Sequence, residues 1–138
     1  MNKSRHIAVV LAGGSGRRMG GNMPKQYMQL AGRTVLEYSI EAFDAHPLID
    51  EVAVVVHPDY RAEVEAMVQC CGWRKVRRIL DGGAERSDSS LAAIRAYASD
   101  GDAASVRLLF HDAARPLVTA RMIDDVCCAL NKYEAVGT

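Results

Sequence analysis

At 138 residues the chain suits a single domain with its own hydrophobic core, and it needs neither metal nor disulfide to hold it together. Its 49% hydrophobic and 25% charged residues are ordinary globular composition. Lys+Arg and Asp+Glu both total 17, so the basic excess usual in a nucleic-acid binder is missing.

The first element is His6–Ala12, an apolar β-branched run that breaks at glycine. It is too short for a secretory signal core or for the ~20 apolar residues of a spanning helix, and reads as a buried strand of a cytoplasmic protein. A glycine-rich stretch follows. Thr34–Ala45 has apolar Val35, Leu36, Ile40 and Phe43 at helical spacing, with Thr34 as N-cap and Glu37 at the capping-box position. Glu51–Val56 reads as a strand, Asp59–Cys71 as a helix and Lys75–Leu80 as a strand. Ser87–Ala98 reads as a helix with apolar Leu91, Ala92, Ile94 and Ala98. Ser105–Phe110 is a strand, Thr119–Leu130 a helix capped by Thr119, and Glu134–Val136 starts another strand. The cysteines come as neighbours, Cys70-Cys71 and Cys127-Cys128, which is not zinc-ligand spacing. They read as buried helix cysteines in a reducing compartment.

Apolar strands alternating with helices predict an α/β fold with a mostly parallel sheet covered on both faces. Ligands of such sheets bind beyond the carboxyl ends of the strands. Three segments sit there: Gly13–Lys25, Asp81–Ser90 and His111–Pro116. In the first, Gly13, Gly14 and Gly16 allow close backbone approach to a phosphate, and Arg18 and Lys25 supply positive charge. No acid occurs between Met1 and Leu36. The stretch is neither a P-loop nor a dinucleotide fingerprint, since Met19 stands where the third glycine would be. In the second, a Gly-Gly turn leads into a helix start with Arg86, Ser87, Ser89 and Ser90, suited to an anion or a polar base edge. In the third, Asp112 is placed to hold Mg²⁺ beside a triphosphate, and Arg115 can bind a phosphate bidentately. Read one at a time, each segment has a plainer account: a solvated turn, a helix cap, a loop ion pair. His111 reads as a packed, hydrogen-bonded histidine.

Taken together, AGGSGRRMG, MPKQY, DGGAERSDS and HDAARP stand in an order and spacing that resembles the 2-C-methyl-D-erythritol 4-phosphate cytidylyltransferases and the related D-ribitol-5-phosphate cytidylyltransferases. The resemblance runs over essentially the whole chain. It implies a Rossmann-like, three-layer αβα nucleotidyltransferase fold, truncated on its C-terminal side, and transfer of CMP from CTP to a polyol phosphate with release of pyrophosphate. It implies that Arg18 and Lys25 are catalytic, and that Ala12, Gly13, Gly14, Gly16, Gly82, Arg86 and Ser89 bind the nucleotide. Asp112 would be a Mg²⁺ ligand and Arg115 a contact to the polyol phosphate. The full-length protein would be a homodimer, and this chain, as the nucleotide-binding portion, catalytically poor. MPKQ and the AGG form lean towards ribitol phosphate, whereas HDAARP and the Tyr of KQY lean towards methylerythritol phosphate, the favoured acceptor. The competing expectations are a sugar-phosphate nucleotidyltransferase that uses UTP or GTP, and a non-catalytic nucleotide-binding domain.

Overall fold

The computed structural model describes residues 5–12, 29–30, 32–83, 85–99, 105–113 and 119–130. β1 (Arg5–Ala12) is followed by a short antiparallel pair, β2 (Gln29–Leu30) and β3 (Arg33–Thr34). Then come α1 (Val35–Asp44), β4 (Glu51–Val56), a 3₁₀ turn at Pro58–Tyr60, α2 (Arg61–Cys71), β5 (Val76–Asp81), α3 (Arg86–Ala98), β6 (Val106–Asp112) and α4 (Ala120–Leu130). Four strands form one parallel sheet in the order β5-β4-β1-β6.

β1 and β4 are its central strands, and from Ile7 to Ala12 and from Glu51 to Val56 every residue is buried. That is why they read as continuous apolar runs rather than alternating ones. Ala8, Val10, Val52, Val54 and Val56 face α1, α2 and α4 through Leu36, Ile40, Phe43, Val64, Ile123 and Leu130. Ile7, Val9, Leu11, Ala53 and Val55 point the other way, where Ala93 and Tyr97 of α3 meet them. The result is the expected three-layer αβα arrangement. Among the described residues, no helix is long and apolar enough to cross a membrane.

Local chemistry sets the ends of the elements. Thr34 caps α1 as its sequence predicts: its Oγ1 accepts the Glu37 N–H at 3.1 Å, and the Glu37 carboxylate accepts the Thr34 N–H at 3.3 Å. Thr119 caps α4 by accepting the Met122 N–H at 3.2 Å. α2 ends at Gly72, whose φ of 67° is the left-handed conformation glycine adopts without strain.

Four expectations need correction. Asp59 and Tyr60 belong to a 3₁₀ turn opened by Pro58, and α2 starts only at Arg61. β6 runs two residues beyond Phe110, because its pairing with β1 continues to Leu11 opposite Asp112, so Asp112 is the last strand residue. α3 turns Ser89, Ala93 and Tyr97 inward, while Leu91 and Ile94 are 40% and 45% exposed. That stripe repeats every fourth residue and reaches the sheet through one large side chain, Tyr97. Of the four cysteines only Cys127 is buried; Cys70, Cys71 and Cys128 are exposed. In α2 the buried residue is Val64, and both Cys70 and Cys71 lie beyond it at the end of the helix; in α4 the inward stripe is Ile123, Cys127 and Leu130, and Cys128 points about 100° away from it. The strand expected at Glu134–Val136 lies outside the described residues.

Candidate nucleotide site at the carboxyl edge of the sheet

After β1 the chain moves outward through β4 to β5, then returns across α3 to place β6 on the other side of β1. The strand order therefore reverses beside β1, and the crevice at such a switch point is where α/β sheets bind ligands. The registers align the strand ends there. Ala12 is opposite Val56, Val56 is opposite Asp81, and Leu11 is opposite Asp112. The backbone extends this row beyond the strands. Gly82 N–H donates to the Val56 carbonyl at 2.7 Å, and Ala113 N–H donates to the Leu11 carbonyl at 2.9 Å. Ala12, Gly82 and Asp112, far apart in sequence, thus share one edge.

Each described position has a local reason. Ala12 is 1% exposed, at the point where β1 opens into the glycine-rich stretch. Gly83 has no room for a side chain: an added Cβ would stand 2.2 Å from the Asp88 Cβ. Asp88, in the first turn of α3, accepts the Glu85 N–H on its carboxylate at 3.2 Å. Acidic charge therefore already occupies this helix N-terminus, which suits the polar edge of a base better than a phosphate. Ser89 is 3% exposed in the same turn. Arg86 is the first residue of α3, and its side chain lies outside the described set. Gly13, Gly14, Gly16, Arg18, Lys25 and Arg115 also lie outside the described residues.

Asp112 is half-buried at the tip of β6. Among the described residues there is no cluster of three or more His, Cys, Asp or Glu that could cage a metal ion. Mg²⁺ does not require such a cage, since it keeps several waters and is bound through one or two carboxylates plus substrate phosphates. His111 sits edge-on to Phe43, with ring centroids 5.4 Å apart, and its Nε2 is 3.3 Å from Ser39 Oγ. Ser39 is fully buried inside an otherwise apolar helix face, a signal that sequence reading passed over. It also missed the Arg61–Asp81 ion pair, 2.9 Å long, which ties the start of α2 to the last residue of β5, next to Gly82.

The arrangement is that of a parallel α/β domain with a crevice at its switch point. The family model for 2-C-methyl-D-erythritol 4-phosphate cytidylyltransferase (IspD) matches residues 6–137, and the chain belongs to that family. It is 48% identical over 135 residues to the 2-C-methyl-D-erythritol 4-phosphate cytidylyltransferase of Thermobifida fusca, covering 98% of this chain and 53% of that protein. It is 41% identical over 136 residues to the bifunctional ribulose 5-phosphate reductase/CDP-ribitol pyrophosphorylase of Haemophilus influenzae, covering 99% of this chain and 28% of that one. The chain thus spans about half or less of these relatives' length. In fold it matches the crystal structure of 4-diphosphocytidyl-2C-methyl-D-erythritol synthase from Anaerococcus prevotii, with a TM-score of 0.72 at 22% identity, over 94% of this chain and 52% of that one.

Proposed function

We propose that residues 1–138 form the nucleotide-binding portion of a cytidylyltransferase that transfers CMP from CTP to 2-C-methyl-D-erythritol 4-phosphate and releases pyrophosphate. The observation that carries this reading is the single row of strand ends that brings Ala12, Gly82 and Asp112 together at the switch point. Family membership supports the choice of nucleotide and acceptor.

In this reading the acceptor's phosphate oxygen attacks the α-phosphorus of CTP in line, and pyrophosphate leaves from the opposite side. Arg18 and Lys25 offset the charge that builds on the α-phosphate and on the leaving group. Gly13, Gly14 and Gly16 bring backbone N–H groups to the phosphates. Ala12, Gly82, Arg86 and Ser89 line the cytidine end. Asp112 holds Mg²⁺, whose charge offsets that of the triphosphate, and Arg115 takes the acceptor's phosphate. A cytoplasmic homodimer belongs to the same proposal, which rests for these two points on the family resemblance.

A second acceptor has an observation behind it. The H. influenzae relative, named for CDP-ribitol synthesis, aligns over nearly the whole chain. The test is pyrophosphate release from CTP and Mg²⁺ with methylerythritol 4-phosphate and ribitol 5-phosphate in parallel. It is run on this chain and on one extended to the relatives' length, with Lys25→Ala and Asp112→Ala as controls. Turnover of methylerythritol phosphate that both substitutions abolish is the expected result. Preference for ribitol phosphate shifts the acceptor, and preference for UTP or GTP overturns the cytidylyl reading.

A further inference from the structure

We propose that Met67, Cys70 and Cys71, in the last turn of α2, form a binding site for a soft monovalent cation, Cu(I). Seen down the helix axis, Met67 lies between the two cysteines, about 40° from Cys71 and about 60° from Cys70. It stands one turn earlier in the chain, and residues three and four apart are neighbours on a helix surface. All three side chains therefore start from one side of one turn. Both cysteines are exposed, and Met67 is half-buried.

The start of α1 marks the same corner. Met67 Sδ lies 4.0 Å from Thr34 Oγ1, and Thr34 is bonded to Glu37 in the capping box. Cys71 is near enough to Glu37 and Arg33 for both charges to act on its thiol. Met67 and Cys71 thus reach one neighbour, the Thr34–Glu37 cap, so thioether and thiol share the space between α1 and α2.

The donors choose the ion. Thiolate and thioether sulfur are soft ligands, which select Cu(I). Among the described residues His, Cys, Asp and Glu alone form no group of three able to hold a metal, so the thioether is what completes this set. The carboxylates beside it are engaged, Glu37 in the cap and with Arg33 at 3.4 Å, and Glu41 with Arg33, so the corner does not suit an oxygen-seeking ion. Burial and, next, the Glu37 charge raise the Cys71 thiol above its ordinary range, with Arg33 acting against them. That thiol is therefore protonated at neutral pH, and each cysteine gives its proton to solvent as its sulfur bonds the metal. The site is independent of the nucleotide reading above.

The test titrates the fully reduced chain, without oxygen, against Cu(I) held by a chromophoric chelator. The expected result is one Cu(I) taken from the chelator per chain, bound within a monomer, with a shift in the NMR signal of the Met67 methyl group. Cys70→Ser and Cys71→Ser should each weaken binding on the order of 100-fold and Met67→Leu about tenfold, the range that even supporting contacts of a metal site are worth. Cys128→Ser, also exposed, should bind like the parent. The two cysteines are exposed and Leu has nearly the volume of Met, so circular dichroism should find these variants folded. A chain that takes no Cu(I) from the chelator overturns the proposal. So does binding that survives Cys70→Ser or Cys71→Ser, a Met67→Leu variant that binds like the parent, or copper that joins two chains instead of sitting in one.

Discussion

Gly83 offers the sharpest test of the site's construction. Adding a methyl group there puts its carbon 2.2 Å from the Asp88 Cβ and 2.9 Å from its Cγ. Carbon atoms prefer roughly 3.5–4.0 Å, so the turn or the helix must move by more than ~1 Å. The atoms in the way are not a flexible tip, because Asp88 Cβ is fixed to the first turn of α3. Overpacking of this kind costs ~1–3 kcal/mol, and the shift strains the bond from Glu85 N–H to the Asp88 carboxylate, worth ~1 kcal/mol as a cap. Gly83→Ala should therefore lower the melting temperature by roughly 5–15 °C, followed by the fluorescence of the single buried Trp73. Asp88→Gly alone loses the cap and some helix propensity, about 2 kcal/mol in all. It also removes the clashing atoms, so the double variant should melt no lower than Asp88→Gly. A simple sum of the two single effects, or a Gly83→Ala protein that melts like the parent, would refute the steric account. On the proposed function Gly83→Ala also weakens CTP binding, since the displaced turn carries Gly82.

Three further outcomes follow from the described contacts. Thr34→Ala removes the acceptor for the Glu37 N–H and should cost about 1 kcal/mol by chemical denaturation, without altering CTP binding. Burial, with smaller contributions from the charges of Cys128, Asp124 and Asp50, pushes the Cys127 thiol up to about 11. A folded-state value raised above the unfolded one stabilises the fold below the unfolded thiol's range, and that contribution is lost as pH rises through about 11. Mass mapping after thiol alkylation at pH ~8 should accordingly find Cys70, Cys71 and Cys128 modified quickly and Cys127 slowly. Tyr97→Phe deletes the phenol that donates to Glu51 and should cost roughly 1.5–3 kcal/mol, seen as a lower denaturation midpoint with CTP binding intact.

The order of elements was legible because β1 from Ile7 and β4 from Val52 are unbroken apolar runs and because α1 and α4 advertise their caps. What hid was whatever depended on tertiary partners. β6 extends through Asp112 because β1 offers it pairing that far, and nothing in VRLLFHD announces that. The inward stripe of α3 was misread because Leu91 and Ile94 are larger than Ala93, yet the sheet takes Ala93 and Tyr97. Of the site, its location could be inferred from the glycines and charges that follow the strands, since loops at the carboxyl edge are where such residues gather. The packing around it could not, because Ser39 and Gly83 act through residues distant in sequence or through the space they leave.

The two ends of the sheet divide the work. At the amino end, Glu51 is buried and receives the Tyr97 hydroxyl, with Arg5 at 3.5 Å and Arg78 at 3.8 Å. Arg78 also lies over the Tyr97 ring, 4.2 Å from its centroid, and donates to the Ala96 carbonyl. A carboxylate left alone at that depth would be costly, so the two arginines and the phenol form a unit that fixes α3 on β4 and β5. Nothing in that unit reaches the carboxyl edge, where Gly82, Gly83 and half-buried Asp112 stand. Substitutions at Glu51 or Tyr97 should therefore register as stability alone, whereas Gly83→Ala should register as stability and, on the proposed function, as CTP binding too.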